Sequence, residues 1–476
     1  MMQTEPSHVV QMTLRRLLDD TPKLEINATF PEAGPFEVQL PVWRPGRYEL
    51  GNFAQYIYSM EGLTDDGEWR PLKKTSLHRW SVLRGMSRLR WVFYADLFNA
   101  GSTGVADDVL YVNPVNCFAY NPSHPEWGFQ IHLQDIPESW QIASGMKHEG
   151  RSLTARDLQH VMDSPILAAS NLWHGTYDSH GVPFHIWAYG QNHPTPERFV
   201  ADHKAFTDSQ IAHFGTFPAL HYHFLYLFPE RDVRHGVEHE DSTVIALGPS
   251  EKSQTESGYM ELIGIASHEL YHAWNVKRIR PKEWTPYDFS VAAPSRLGYI
   301  AEGVTTYMGD LFLFESGVVD LAGWCRLMES LLDRHVNNPG RLNLSVADSS
   351  YDTWLDGYVP GVAGRKSSIY VEGAVLALLC DVRIMQLTGS EASLQTAMRI
   401  LWEQFGQPRI GLTEGDYWSV LNEVAGSAEA LDDLREQFSD GTEDAWPELV
   451  AAMEWQGLAL TKSVVNGLWR VKLEPR

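Results

Sequence analysis

The segment SHELYHAWN at residues 267–275 carries two histidines four positions apart, with a glutamate directly after the first. Residues four apart on an α-helix face the same side, so the imidazoles of His268 and His272 can reach a single Zn²⁺ ion. The carboxylate of Glu269 lies beside them, where it can take a proton from an attacking water. An ordinary amphipathic helix with solvated histidines is the alternative interpretation. The pattern predicts a zinc site on a helix, and a third ligand would decide between the two interpretations.

A candidate third ligand follows in the segment AEGVTTYMGD at residues 301–310, where Glu302 opens the next predicted helix. Catalytic zinc usually has three protein ligands and one open position. Taken alone, Glu302 is better explained as a helix-start glutamate that the helix dipole favours. The upstream HExxH pattern and the surrounding E-G-x-T-x-Y string favour the ligand interpretation. We therefore expect one Zn²⁺ per chain, held by His268, His272 and Glu302.

Three regions with different hydrophobic patterns predict a multidomain α+β protein. Apolar and polar residues alternate in residues 1–170, for example at 36–40, which predicts a β-rich, sandwich-like N-terminal domain. Strands and helices mix in residues 171–310, where the predicted helix 256–276 carries the HExxH pattern. Residues 311–476 have a mostly helical pattern, with glycines as helix C-caps. We expect this last region to complete the active-site cleft.

The composition indicates a soluble globular protein and excludes several classes of partner. The formal charge of −23 argues against nucleic-acid binding, because phosphate contacts need a basic surface. The first twenty residues have no apolar core for a signal peptide, and no run approaches the ~20 apolar residues of a membrane span. Cys117, Cys325 and Cys380 form neither a disulfide framework nor a CxxC pair. We therefore expect a cytoplasmic protein without nucleic-acid or membrane partners, and the sequence leaves its oligomeric state open.

Several motifs together resemble one peptidase family. HELYHAWNVKRIRP, followed about thirty residues later by AEGVTTYMGDL, resembles the glycyl aminopeptidase family of gluzincin (HExxH…E) peptidases. LPVWRPGRYELGNFAQYI resembles the family's N-terminal signature around W-x-P-G-x-Y. HGVEHEDST resembles its G-G-x-E-H-x-x-S strand, and IYVEGAVLALLCDVRI resembles its Y-x-K-G-x-x-x-A-x-L-L-D helix. The resemblance spans residues 35 to 460 approximately.

The resemblance implies a fold and an activity. It implies a β-sandwich-like N-terminal domain, a thermolysin-like zinc catalytic domain and a helical C-terminal region. The implied substrates are short peptides with a small N-terminal residue such as Gly or Ala, and the implied reaction is hydrolysis of their first peptide bond. His268, His272 and Glu302 match the zinc ligands of the family, and Glu269 matches its general base.

The resemblance also implies residues that contact or support the substrate. Tyr370 matches the tyrosine that donates a hydrogen bond to the developing oxyanion. Glu238 matches the glutamate that meets the α-ammonium group of the substrate, and Gly236 belongs to the same substrate-binding strand. Thr306 and Asp310 are expected to orient the ligand imidazoles, a supporting role that catalytic zinc sites usually need.

The sequence departs from the family pattern at several places. Glu372 stands where lysine is usual, and His235 replaces the first glycine of the strand motif. Family members commonly carry a PDZ domain after a G-L-x-L string, whereas only sixteen residues follow Leu460 here, so we expect no such domain. Two alternatives to an aminopeptidase remain open: a zinc endopeptidase on the same scaffold, and a non-catalytic zinc-binding interaction protein.

Overall fold

The computed structural model describes residues 8–359 and 361–476, so the first seven residues of the predicted N-terminal domain lie outside the described part. The strands that precede residue 170 are β1 (Val9–Leu17), β2 (Lys23–Thr29), β3 (Phe36–Gln39), β4 (Ile57–Leu63), β5 (Trp69–Pro71), β6 (Lys73–Lys74), β7 (Arg79–Val82), β8 (Arg88–Tyr94), β9 (Gly104–Val105), β10 (Val109–Val112), β11 (Gly128–Leu133), β12 (Gln141–Ala143), β13 (Lys147–Glu149), β14 (Ser152–Ala155) and β15 (Ile166–Ala169). Two short helices lie among them, α1 (Pro114–Cys117) and α2 (Leu158–Met162).

The largest N-terminal sheet has eight strands in the order β13-β14-β11-β1-β2-β8-β4-β5. A three-stranded sheet (β3-β7-β6) and a four-stranded sheet (β12-β15-β10-β9) share its buried core. Leu24 and Ile26 of β2 lie opposite Phe93 and Trp91 of β8, so alternating apolar side chains fill one face of the sheet. The predicted β-rich N-terminal domain is confirmed.

The next region forms one mixed sheet that carries two helices on one face. Its elements are β16 (Leu172–Ser179), β17 (Val182–Tyr189), α3 (Pro196–Phe214), β18 (Tyr222–Leu227), β19 (Val233–Glu238), β20 (Ser242–Gly248) and α4 (Glu256–Tyr271). The strand order is β16-β17-β18-β20-β19, with β17, β18 and β20 parallel and both edge strands antiparallel. α4 contacts β19 and β20, which places the HExxH helix beside an edge strand.

The HExxH helix α4 begins at a side-chain cap and ends earlier than its apolar pattern predicts. The hydroxyl of Thr255 accepts the amide of Gly258, which satisfies a free donor at the helix start. The predicted helix continued to residue 276, but α4 ends at Tyr271. After it, the amides of Ala273 and Trp274 bond three residues back, to Leu270 and Tyr271. Both side chains remain buried, so the spacing of apolar residues cannot reveal this tighter turn.

The C-terminal region is mainly helical, as predicted. A π-helical turn (Tyr299–Val304) leads into eight α-helices of the described chain: α5 (Thr305–Glu315), α6 (Leu321–Val336), α7 (Val346–Asp356), α8 (Ile369–Thr388), α9 (Leu394–Leu401), α10 (Glu414–Val424), α11 (Asp432–Leu434) and α12 (Trp446–Trp455). The other seven of these helices pack around α8. α5 runs across the predicted domain boundary at residue 310. One cluster of buried side chains extends from Tyr177 to Leu473, so this region shares a core with the HExxH helix. The division into residues 1–170, 171–310 and 311–476 stays a prediction.

The described chain closes with a β-hairpin that the helical prediction missed, formed by β21 (Leu458–Val465) and β22 (Leu468–Pro475). The amides of Val471 and Leu473 donate to Asp333 and Glu329 of α6. Most of the side chains of β21 and β22 are exposed, so their apolar spacing does not predict strands. The hairpin is instead explained by its hydrogen bonds to α6. No helix among the described residues is both long and apolar enough to cross a membrane.

The N-terminal sheets pack directly on the segment that follows the HExxH helix. The indole N–H of Trp43 donates to the carbonyl of Asp288 at 2.8 Å, and the amide of Val42 donates to Phe289 at 2.8 Å. A buried ion pair joins Asp163, which follows α2, to Lys277 at 2.7 Å. These contacts hold the N-terminal sheets against the segment that follows α4.

Candidate active site

The two histidines and the downstream glutamate converge on one point. The Nε2 atoms of His268 and His272 lie 3.0 Å apart, and Oε2 of Glu302 lies 3.5 and 3.3 Å from them. His268 and His272 come from the last turn of α4 and the residue after it. Glu302 comes from the π-helical turn, and both His272 and Glu302 are almost completely buried.

These three side chains fit a zinc ion. The Nδ1–H of His272 donates to the carbonyl of Asn275 at 2.7 Å, so the other ring nitrogen, Nε2, faces His268 and is the one available to a metal ion. Burial lowers the pKa of His268 to about 4. Burial alone would also lower the pKa of His272, but Glu302 outweighs it and raises the pKa to about 10. Two imidazoles and one carboxylate form a donor set typical of catalytic zinc, and the buried carboxylate calls for a cation at this point.

Glu269 lies against the edge strand β19. Its carboxylate is buried, and Oε2 has no hydrogen-bond partner among the described residues. Burial, with repulsion from Glu238 and Glu302, raises the pKa of Glu269 well above its usual range. A Cβ at Gly236 would overlap Oε1 of Glu269 and lie 2.7 Å from its Cδ. Gly236, predicted as a substrate-binding residue, therefore makes room for the carboxylate of Glu269.

Glu238 at the end of β19 completes an acidic group within the cleft. Ligand atoms of Glu238, Glu269 and His272 all lie within 4.8 Å of one another. The Glu238 carboxylate is buried, and in the described part of the chain its Oε1 has no hydrogen-bond partner. Gly46 of the N-terminal domain, with φ of +74°, approaches so closely that a Cβ there would overlap Oε2. Glu238 thus offers a buried carboxylate oxygen next to the predicted base, and this oxygen has no hydrogen-bond partner among the described residues.

His235, at the altered first position of the strand motif, contacts residues of the N-terminal domain. Nη2 of Arg44 donates to Nε2 of His235 at 3.1 Å, and Nδ1 of His235 lies 3.3 Å from Oδ1 of Asn99. The other departure, Glu372, accepts a hydrogen bond from Nδ1 of His335 at 2.7 Å. Both residues therefore have buried partners of their own.

Tyr370 lies on the opposite side of the histidine pair, in the first turn of α8. Its ring is stacked with that of His268, with the ring centroids 6.3 Å apart. Its hydroxyl lies 3.4 Å from the hydroxyl of Tyr358, a residue of the loop after α7 that no sequence motif indicated. Burial raises the pKa of Tyr370 well above its usual value, so its hydroxyl stays protonated and able to donate.

The predicted supporting roles of Thr306 and Asp310 are not supported by the geometry. Among the described residues, neither side chain hydrogen bonds to a ligand imidazole. The carbonyl of Asn275 orients His272 instead, and the Asn275 side chain donates to the hydroxyl of Thr305 at 3.0 Å. Sequence spacing cannot distinguish Thr305 from Thr306, because both lie one turn after Glu302. It also cannot reveal the role of Asn275, because a backbone carbonyl is present in every residue type.

One further contact reaches Glu302 from the N-terminal domain. The hydroxyl of Tyr48 donates to Oε1 of Glu302 at 2.5 Å. Tyr48 lies in the string WRPGRY at residues 43–48, so the motif indicated the segment but not this role.

Two histidines on one helix, a glutamate from the next helical segment and a buried glutamate beside them form an arrangement typical of zinc metallopeptidases. The profile described as M61 glycyl aminopeptidase matches residues 261–376, and the profile of the peptidase M61 N-terminal domain matches residues 19–170. The chain belongs to the M61 glycyl aminopeptidase family and is a peptidase. The family resemblance found in the sequence is thereby confirmed.

Solved structures share the fold. The chain is similar to an aminopeptidase N family protein from Idiomarina loihiensis, with a TM-score of 0.88 and 23% identity over 96% of this chain and 79% of that one. It is also similar to an M1 zinc metallopeptidase of Deinococcus radiodurans, solved as a mutant bound to a Tyr-Ser-Ala substrate, with a TM-score of 0.53 and 13% identity over 92% of this chain and 95% of that one. No curated protein matches the sequence. The predicted fold class is confirmed.

Proposed function

We propose that the protein is an aminopeptidase that uses one zinc ion per chain to remove small N-terminal residues, Gly or Ala, from peptides. The observation that carries this proposal is the buried carboxylate of Glu238, whose Oε1 has no partner among the described residues. It lies within 4.8 Å of the predicted base and of a predicted ligand. A carboxylate there matches the α-ammonium group of a peptide, which a free N-terminus alone provides. The family description supports a small first residue.

The chemistry follows from the residues around this point. His268, His272 and Glu302 would hold the zinc ion, which would supply Lewis acidity for activating water and polarising the scissile carbonyl. The carboxylate of Glu269 takes a proton from the attacking water and passes it to the leaving amine. The hydroxyl of Tyr370 donates a hydrogen bond to the developing oxyanion.

Glu238 determines in this scheme which peptide bond is cleaved. Its charge fixes the α-ammonium group at one end of the cleft, so that the first peptide bond, and not a later one, meets Glu269. Charge-assisted hydrogen bonds contribute about 1.5–3 kcal/mol, which corresponds to roughly a ten- to hundred-fold difference in affinity.

The test compares peptides that differ only at the N-terminus. Glu238→Gln keeps the size of the side chain but removes its charge. We expect it to lower kcat/KM for free Gly- and Ala-peptides by about ten- to a hundred-fold, with little effect on the N-acetylated forms. Equal losses on both sets would contradict the proposal. Efficient cleavage of acetylated peptides by the wild type would instead indicate an endopeptidase, and zinc binding without hydrolysis would indicate a non-catalytic protein.

We also propose a cytoplasmic location. Cys117, Cys325 and Cys380 are buried and form no disulfide among the described residues, which fits a reducing compartment.

A further inference from the structure

We infer that Tyr48, a residue of the N-terminal domain, positions the metal ligand Glu302 and thereby strengthens zinc binding. The inference rests on the zinc site of the proposed function, but it concerns a residue outside the catalytic sheet and helices. It makes the docked N-terminal domain a part of the metal site.

The two oxygens of Glu302 have different partners. Oε2 faces the imidazoles of His268 and His272 at 3.5 and 3.3 Å, whereas Oε1 accepts the hydroxyl hydrogen of Tyr48 at 2.5 Å. Because the Glu302 side chain is only 2% exposed, water cannot readily replace this donor. The hydrogen bond therefore fixes which oxygen of Glu302 is directed at the imidazoles.

Tyr48 is itself held rigidly. Its ring is stacked on Trp284, with the centroids 4.9 Å apart and an angle of 14° between the planes. The indole N–H of Trp284 donates to the carbonyl of Ala293 at 2.7 Å. The Tyr48 side chain is buried, so its hydroxyl is confined to the direction of Glu302. A donor fixed in this way reduces the freedom that Glu302 must lose on binding a cation.

The same short segment contacts both sides of the cleft. Arg44 donates to His235 of β19, and Gly46 lies against Glu238 at the end of that strand. Tyr48 then reaches Glu302 on the helical side. Residues 44–48 thus join the metal side of the site to the substrate side, and the link at Glu302 is a single hydroxyl that can be removed without changing the ring.

The test is the zinc affinity of Tyr48→Phe, measured by competition with a chromophoric chelator. This substitution keeps the stack on Trp284 and deletes only the donor. We expect the dissociation constant for zinc to rise by about 10- to 100-fold, as is usual when a partner of a ligand is lost. At saturating zinc, hydrolysis of an alanyl substrate should recover most of its wild-type kcat.

Tyr307→Phe is the matched control, because the hydroxyl of Tyr307 donates to the buried carboxylate of Asp381 at 2.6 Å, away from the three ligands. Both variants should lower the unfolding temperature of the metal-free protein, but Tyr307→Phe should change zinc affinity by less than about threefold. Unchanged zinc affinity in Tyr48→Phe, or equal losses in both variants, would overturn the inference. If Tyr48→Phe binds zinc more weakly than the wild type, and the wild type cleaves no aminopeptidase substrate, the inference is supported and only the proposed function is rejected.

Discussion

Replacing Glu269 should have a different effect from replacing His268 or His272: the first should remove the proton acceptor, and the others should remove the metal. His268 and His272 share one point with Glu302, whereas the carboxylate of Glu269 is turned towards β19 and Gly236. The structure thus separates the predicted metal ligands from the predicted base, although His268, Glu269 and His272 lie in one five-residue string.

Glu269→Gln tests this separation. The amide has the same shape as the carboxylate but cannot accept the proton of the attacking water. We expect zinc content near one per chain and a loss of hydrolysis of about 10²–10⁴-fold. Glu256→Gln, the same change at the exposed start of α4, serves as the control and should leave the rate unchanged. Activity within tenfold of wild type, or loss of the metal, would assign Glu269 another role.

Site residues that belong to a recognisable sequence motif could be predicted. Residues that act through a backbone atom, or through a contact between distant parts of the chain, could not. The sequence indicates the predicted ligands, the predicted base, Glu238 and Tyr370, and the structure brings these side chains close together. Asn275 holds His272 through a backbone carbonyl, which any residue type supplies. Tyr48 reaches Glu302 across 254 positions of chain, and only the fold can bring such a pair together.

At the scale of elements, the packing of β19 on α4 sets the position of the base. β19 is an edge strand, and Gly236 is the point at which its backbone meets the carboxylate of Glu269. The absence of a side chain is therefore a requirement of this contact.

Gly236→Ala should shift the base without removing it. The new Cβ would also lie 2.8 Å from Cγ2 of Ile265, so Glu269 or β19 has to move. Displacement of a catalytic group by about 1 Å lowers rates by up to roughly 10²-fold, so we expect kcat to fall about 10- to 100-fold with zinc retained. Gly264→Ala in α4 is the control, because no atom lies within 4 Å of its Cβ position. Similar kinetics in both variants would show that the contact at Gly236 does not position the base.

Element types were predicted where apolar spacing is strong, and element ends were not. The alternation in residues 36–40 corresponds to β3, and the spacing along 256–276 corresponds to α4. The end of α4 and the terminal hairpin depend on hydrogen-bond register and on docking against α6, which leave no local periodicity.

For the whole molecule, the ion pair of Asp163 and Lys277 joins the N-terminal domain to the segment after the HExxH helix. Both side chains are buried, and Asp163 also accepts a hydrogen bond from His239. Burial alone would raise the pKa of Asp163, but Lys277 and His239 outweigh it and lower the pKa below its usual value. A depressed carboxyl pKa contributes stability above the unfolded-state pKa of about 3.9, and this contribution is lost as the pH falls below that value.

Asp163→Asn should lower the free energy of unfolding at pH 7 by about 3–5 kcal/mol, because Lys277 stays buried without a counter-charge. The difference from wild type should shrink as the pH falls below about 4, where Asp163 of the wild type begins to lose its contribution. Denaturant unfolding at several pH values measures both effects. Asp433→Asn, at an exposed pair with Arg383, should cost less than about 1 kcal/mol. A pH-independent difference would show that the charge of Asp163 does not stabilise the contact.

A zinc titration shows whether one zinc ion per chain is needed for aminopeptidase activity. Chelator-stripped protein is mixed with increasing zinc, and hydrolysis of alanyl p-nitroanilide is followed at each ratio. The site geometry predicts no hydrolysis without metal, a linear rise to about one equivalent of zinc per chain and a plateau beyond it. Hydrolysis that survives complete removal of the metal, or that needs a second equivalent of zinc, would show that the protein is not a single-zinc aminopeptidase.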